Sequence, residues 1–224
     1  MRWFFCALFS FVLLGLGILF APVEMFRATP SDDLDSVTTA IVFGFGFEED
    51  AEGAMLPGAA NSFLLDHVLT EHPQVDTIFV QEGVWVDRCE REALTCEVDG
   101  VRLLRIDWHD ERFDLNTLEI SACVLERMEL FELDEAIVVA HDMQLARAAS
   151  TLERVQRGGL CPDCTLLIDL VPDTPYPEES AQLRTRSESV WRFIDLAARL
   201  RDSRLLTWET PDTCAVPTPR TTRY

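Results

Sequence analysis

Short β-branched apolar runs alternate with amphipathic stretches along this chain, and no other feature restricts its fold so tightly. TAIVFGF (39–45), VDTIFVQEG (75–83), GVRLLRID (100–107), EAIVVAHD (135–142) and CTLLIDLVP (164–172) read as strands, the third paired with the 89–97 segment. Between them lie helical patterns. Residues 57–72 place Ala60, Phe63, Leu64 and Val68 on one face, and residues 116–132 space Leu118, Ala122 and Leu125 as a helix does. Residues 143–157 bury Leu145, Ala148, Ala149 and Leu152, and residues 178–201 carry Val190, Phe193, Ile194 and Ala197 on one stripe. Strands apolar on both faces, separated by such helices, predict an α/β fold, a Rossmann-like mostly parallel sheet with helices on both faces. RLLTWE (204–209) reads as a last short strand.

Ahead of this domain, residues 3–22 contain no charge. About 20 apolar residues carry a helix across a bilayer, so the run reads as one N-terminal transmembrane helix. A cleaved signal peptide is the alternative, but its apolar core is about 7–15 residues before an A-x-A-like site. Here Leu19-Phe20-Ala21 is followed by Pro22, a poor site. The expected plan is an anchor (1–22), a polar tether (23–36), the α/β domain (37–210) and a disordered tail (211–224). Arg2 precedes the span, whereas Arg27 beyond it is offset by Glu24, Asp32, Asp33 and Asp35. The positive-inside bias then leaves the bulk of the chain outside a bacterial cytoplasmic membrane.

The formal net charge is -20, and all 19 basic residues are Arg. So acidic a surface repels nucleic acid, which is excluded as a partner. Of seven Cys, Cys6 lies in the apolar run; Cys89, Cys96, Cys123, Cys161, Cys164 and Cys214 follow. An even number in an exported domain permits disulfides. CPDC (161–164) has redox-motif spacing, but it precedes a strand rather than opening a helix, where the dipole would activate a thiol. For Cys161 and Cys164 a local disulfide or simple thiols is the simpler expectation, and for Cys89 and Cys96 a disulfide closing a hairpin rather than a zinc site. No metal site is expected: His67 and His72 are five residues apart, off a shared helix face.

Ligands of such sheets bind beyond the carboxyl ends of the strands. That directs attention to Gly44 and Gly46, to Glu82 and Gly83, to the loop 107–116, and to His141 and Asp142. GFGFEED (44–50) lacks the third glycine of a dinucleotide fingerprint, and its acids stand where a pyrophosphate would lie. Its glycines either form a tight turn or let a ligand approach the backbone. Asn116 and Glu119 fit a capping box; equally, Asp114, Asn116 and Thr117 could line a polar pocket at a helix start. His141 reads as a general base or a hydrogen-bonded strand-end residue, and Arg147 as an anion ligand or an ion-pair partner.

A strand ending in glycines, a strand ending near EG, an NTLE helix start (116–119), then an apolar strand followed by ARA (146–148) occur in this order. Over roughly residues 38–201 the chain resembles the SanA/YdcF/ElyC-like envelope proteins. The resemblance implies a Rossmann-like domain behind a single anchor, acting in cell-envelope integrity or peptidoglycan-related processes, with S-adenosylmethionine as a possible cofactor. It carries ligand-binding roles to Gly44, Gly46, Gly83, Asp114, Asn116, Thr117 and Arg147, and leaves His141 as the candidate catalytic base. The chain departs from the family pattern at Phe45, Phe47, Asp114 and Gln144. These departures motivate the alternative of a non-catalytic interaction protein with a degenerate pocket.

Overall fold

The computed structural model describes residues 28–49, 51–52, 55–90, 93–106, 117–176, 178–180, 182, 185–192 and 194–195. The expected anchor and tail, residues Asp114 and Asn116, and the last short strand lie outside them. Among the described residues no helix is long and apolar enough to cross a membrane.

The elements run β1 (Thr39–Val42), β2 (Glu48–Glu49), β3 (Met55–Leu56), α1 (Gly58–Glu71), β4 (Thr77–Val80) and α2 (Glu82–Trp85). Then follow β5 (Thr95–Val98), β6 (Val101–Arg105), α3 (Thr117–Leu130), β7 (Glu135–Ala140), α4 (Asp142–Arg157) and β8 (Thr165–Leu170). The main sheet has the order β5-β6-β4-β1-β7-β8. All its pairings are parallel except the β5–β6 hairpin. The chain steps outward from β1 to β4 to β6, then returns to lay β7 on the other side of β1. That reversal opens a crevice beyond the carboxyl ends of β1 and β7, where doubly wound sheets bind ligands.

Side-chain parity explains why both faces are covered. Ile41, Phe79, Leu104, Ala136 and Val138 point to one face, against Ile120, Val124 and Met128 of α3 and Leu145, Leu152 and Val155 of α4. Ala40, Val42, Ile78, Val80, Leu103, Ile137 and Val139 point to the other, against Leu64, Leu65 and Val68 of α1 and Val84 and Trp85 of α2. A strand buried on both faces has no solvent side on which to place a polar residue, hence the unbroken apolar runs. Phe63 departs from expectation: it is 40% exposed, because the buried face of α1 runs through Ala60, Asn61, Leu64, Leu65 and Val68 instead.

Several boundaries differ from the sequence reading. The second expected strand stops at Val80, and Glu82 and Gly83 belong to a helical turn whose Trp85 indole donates to Glu90 O at 3.0 Å. The expected helix 178–201 begins later: helix is described at 188–192 and 194–195. Its buried residues are Trp191, Arg192 and Asp195, while Val190 and Ile194 are exposed. Trp191 takes the interior position in place of the apolar stripe, and its ring packs on Phe45. The end of the expected tether is packed: Ser31 N–H donates to Ile168 O and Ser31 Oγ accepts from Ile168 N–H, both at 2.8 Å. This covers the β8 edge, whose unpaired backbone groups would otherwise invite another strand. Both expected disulfides are present, Cys89–Cys96 and Cys161–Cys164, with Cα separations of 6.0 and 5.3 Å.

Leu64 is fully buried against the sheet. Leu64→Ala is expected to lower unfolding free energy by about 2–5 kcal/mol, read by urea denaturation followed by circular dichroism. A loss below about 1 kcal/mol would contradict this packing.

Candidate functional site

The loop leaving β1 enters the crevice, and its glycines have a structural explanation. Gly46 has φ +73°, a conformation favouring residues without a Cβ. Asn61, fully buried on α1, accepts from Phe45 N–H at 2.7 Å and donates to Gly46 O at 2.7 Å and to Pro57 O. Gln81 Oε1 accepts from Gly44 N–H at 3.0 Å, and Ser180 Oγ from Phe47 N–H at 3.3 Å. The amides of Gly44, Phe45 and Phe47 are thus taken by side chains, where a phosphate-binding turn would present free N–H groups. Gly83 supports the same arrangement from α2: a Cβ there would lie 2.9 Å from Asn61 Nδ2.

His141 ends β7 and caps α4. Its ring is 0% exposed, stacked on Phe45 at 3.9 Å and meeting Tyr176 edge-on at 4.5 Å. Nδ1 lies 2.9 Å from Asp142 Oδ1 and 3.3 Å from Met143 N. These two contacts demand opposite tautomers. Met143 N–H also donates to Asp142 Oδ1 at 2.7 Å, but of the two Nδ1 contacts only that with Met143 N–H has hydrogen-bond geometry, so Nδ1 is the acceptor. Nε2 is buried without a hydrogen-bond partner. Tyr176 Oη and Gln144 Oε1 are also buried without one. Burial pushes the Tyr176 phenol well above its usual range, reinforced by the Asp142 and Glu188 carboxylates and opposed by Arg192. The phenol stays protonated.

The described residues between 174 and 195 close over this cluster. Trp191 meets Phe45 edge-on at 4.8 Å and its indole donates to Met143 O at 3.0 Å. The Arg147 guanidinium lies over the Trp191 ring at 4.8 Å and its Nε is 3.4 Å from the buried Asp195 carboxylate. Arg147 is therefore an ion-pair and cation–π partner in this state, the second of its two expected roles. Ser180 Oγ also donates to Phe47 O at 3.0 Å and accepts from Thr185 Oγ1 at 2.9 Å, tying the covering segment to the β1 loop.

The structure therefore gathers Gly44, Gly46, Gly83 and His141 at the crevice, with Arg147 one turn along α4. Thr117, the first residue of α3, is buried. Sequence reasoning did not single out Asn61, Gln81, Tyr176, Ser180 or Trp191. Asn61 carried one usable signal, an amide amid apolar residues on a core helix. A buried Arg105–Glu82 ion pair at 2.5 Å, with Arg127 donating to Arg105 O, was also unforeseen.

A second cluster joins residues that the sequence reading kept apart. The α1 helix stops at Glu71, and His72 takes φ -121°, ψ 63°, which turns its ring toward β8. His67 Nε2 and His72 Nε2 both lie 2.7 Å from Asp169 Oδ2. A shared helix face was not needed once the backbone left the helix. Burial pushes the Asp169 carboxyl up, but the hydrogen bonds from His67 and His72 outweigh it and hold it below its usual range.

No family model, curated protein or solved structure matches this chain.

Two outcomes follow. Asn61→Ala strands the Phe45 amide and is expected to cost about 1–3 kcal/mol or more in denaturant unfolding; an unchanged midpoint would remove Asn61 from the centre of this turn. The lowered Asp169 pKa gives stability present above the unfolded value of about 3.9, lost as pH falls through the folded value. The stability gap between the parent and Asp169→Asn should therefore hold above about pH 4 and shrink below it. A gap that widens with acid would contradict the assignment.

Proposed function

We propose that this chain is a membrane-anchored bacterial envelope protein whose α/β domain lies outside the cytoplasmic membrane and binds a small polar, nucleotide-like ligand beyond β1 and β7. The observation that carries the ligand reading is His141 Nε2, fully buried at the topological switch point and without a partner, while Nδ1 accepts from Met143 N–H. An unsatisfied buried polar atom costs about 1–3 kcal/mol, so native proteins keep few of them. The protonated Tyr176 phenol, also without a partner, adds a second polar group suited to a hydroxyl, amide or ribose edge. The uncharged run 3–22 and the two disulfides support an anchored, oxidising setting. The envelope role itself rests on the resemblance to the SanA/YdcF/ElyC-like proteins.

Access requires the segment 174–195 to move, since Phe45, Tyr176 and Trp191 cover the imidazole. In that open state Arg147 and Asp195 would line the entrance, and His141 would meet the ligand through Nε2.

A second reading has its own support. The occupied amides of Gly44, Phe45 and Phe47 and the aromatic filling of the crevice suit a non-catalytic interaction protein that retains the fold alone. In that case substitutions at His141 leave envelope function intact, while changes to the anchor abolish it.

The test is a thermal-shift series on the full chain in detergent, with S-adenosylmethionine, nucleotides and nucleotide-sugars. A ligand at a hundred times its Kd stabilises by about 2.7 kcal/mol, on the order of 5–10 °C for a chain this size. The expected result is a shift with one class, lost in His141→Ala and reduced in Tyr176→Phe. No shift with any class, or an equal shift in His141→Ala, would reject the ligand reading in favour of the interaction protein.

A further inference from the structure

On the face of the sheet that α1 covers, two imidazoles converge on one carboxylate oxygen. His67 comes from the body of α1, His72 from its C-terminal cap and Asp169 from β8, in register with Val139 of β7. Their ligand atoms all lie within 4.8 Å of one another. All three positions are fixed by regular structure. His72 N–H donates to Val68 O at 3.1 Å and its carbonyl accepts from Val75 N–H at 2.9 Å, so its backbone is held on both sides. His72 is over nine-tenths buried, while His67 and Asp169 keep 18% and 14% of their side chains exposed.

We propose that His67, His72 and Asp169 bind a single divalent first-row transition metal ion, zinc foremost, through His67 Nε2, His72 Nε2 and an Asp169 carboxylate oxygen. The donor set is two imidazole nitrogens and one carboxylate oxygen, which suits zinc and its neighbours rather than magnesium or calcium. Bonds of about 2.0–2.2 Å in a tetrahedron put ligand atoms roughly 3.4 Å apart. The present 2.7 Å hydrogen bonds would open by about 0.7 Å as the ion replaces the two bridging protons. The two Nε2 atoms, within 4.8 Å of each other, would take the same separation. Binding releases a proton from each Nε2 site, or transfers it to Nδ1, so that each imidazole coordinates as a neutral base. Three protein ligands leave a fourth position open to the solvent side for water, as in zinc sites that keep an exchangeable ligand. The ion would also cross-link α1 to β8, the strand whose outer edge is held by residue Ser31.

The experiment uses the full, untagged chain in detergent, titrated with zinc alone by calorimetry and with cobalt(II) by visible absorption. The expected result is one ion per chain and the absorption bands of a low-symmetry cobalt site. His67→Ala and Asp169→Asn should weaken binding by more than the roughly 10–100-fold typical of losing an outer-shell partner, with circular dichroism confirming that each variant is folded. His109→Ala should bind like the parent. Saturable binding that persists in both folded variants, or no saturable binding by the parent, would overturn the site. Because neither variant touches His141, failure here leaves the crevice reading standing, and failure of that reading leaves this site untouched.

Discussion

The side-chain amide of Asn61 sets the centre of this molecule. It is buried on α1, yet it satisfies the backbone of the loop leaving β1 at Phe45 N–H and Gly46 O, and reaches Pro57 O as well. A buried amide left unpaired costs more than its hydrogen bonds return in solvent-exposed positions, so the loop and helix must be placed together or not at all. Gly83 has no Cβ because Asn61 stands against it, and Gly46 adopts a left-handed conformation so that its carbonyl meets the amide. The path of the β1 loop then delivers Phe45 onto His141, and the aromatic cluster over the crevice follows from that.

The same interaction reassigns the glycines. In a phosphate-binding turn, glycines expose backbone N–H groups to an anion. Here those groups are taken by Asn61, Gln81 and Ser180, and three acids follow the turn. Negative charge and occupied donors both oppose a pyrophosphate. At the carboxyl ends of β1 and β7 stands His141 instead, packed against the rings of Phe45 and Tyr176.

The sheet was legible because its strands are buried on both faces: a strand with a solvent side would alternate polar and apolar residues, and these runs do not. The helix limits of α1, α3 and α4 were legible within a residue or two from their periodicity. The short spacings of Cys89–Cys96 and Cys161–Cys164 allowed disulfides, and the structure pairs both. What sequence pattern misread was which stripe of a helix is buried where tertiary contacts compete. Phe63 and Val190 fit an apolar stripe yet face solvent, because Asn61 and Trp191 had stronger claims on the interior. Local pattern also separated His67 from His72, since it assumed a helix continuing through residue 72.

By itself, then, the sequence determined the alternation of strands and helices, the apolar run before them and the acidic charge. These depend on residue type and near neighbours, whose physics is carried along the chain. Only the tertiary structure decided that His141 is sealed beneath Phe45 and Tyr176, that Arg147 meets Asp195 and Trp191, and that His67, His72 and Asp169 converge. Asp169 is 97 residues from His72 along the chain. No periodicity links such positions; the strand order does, by setting β8 on the side of the sheet that α1 covers.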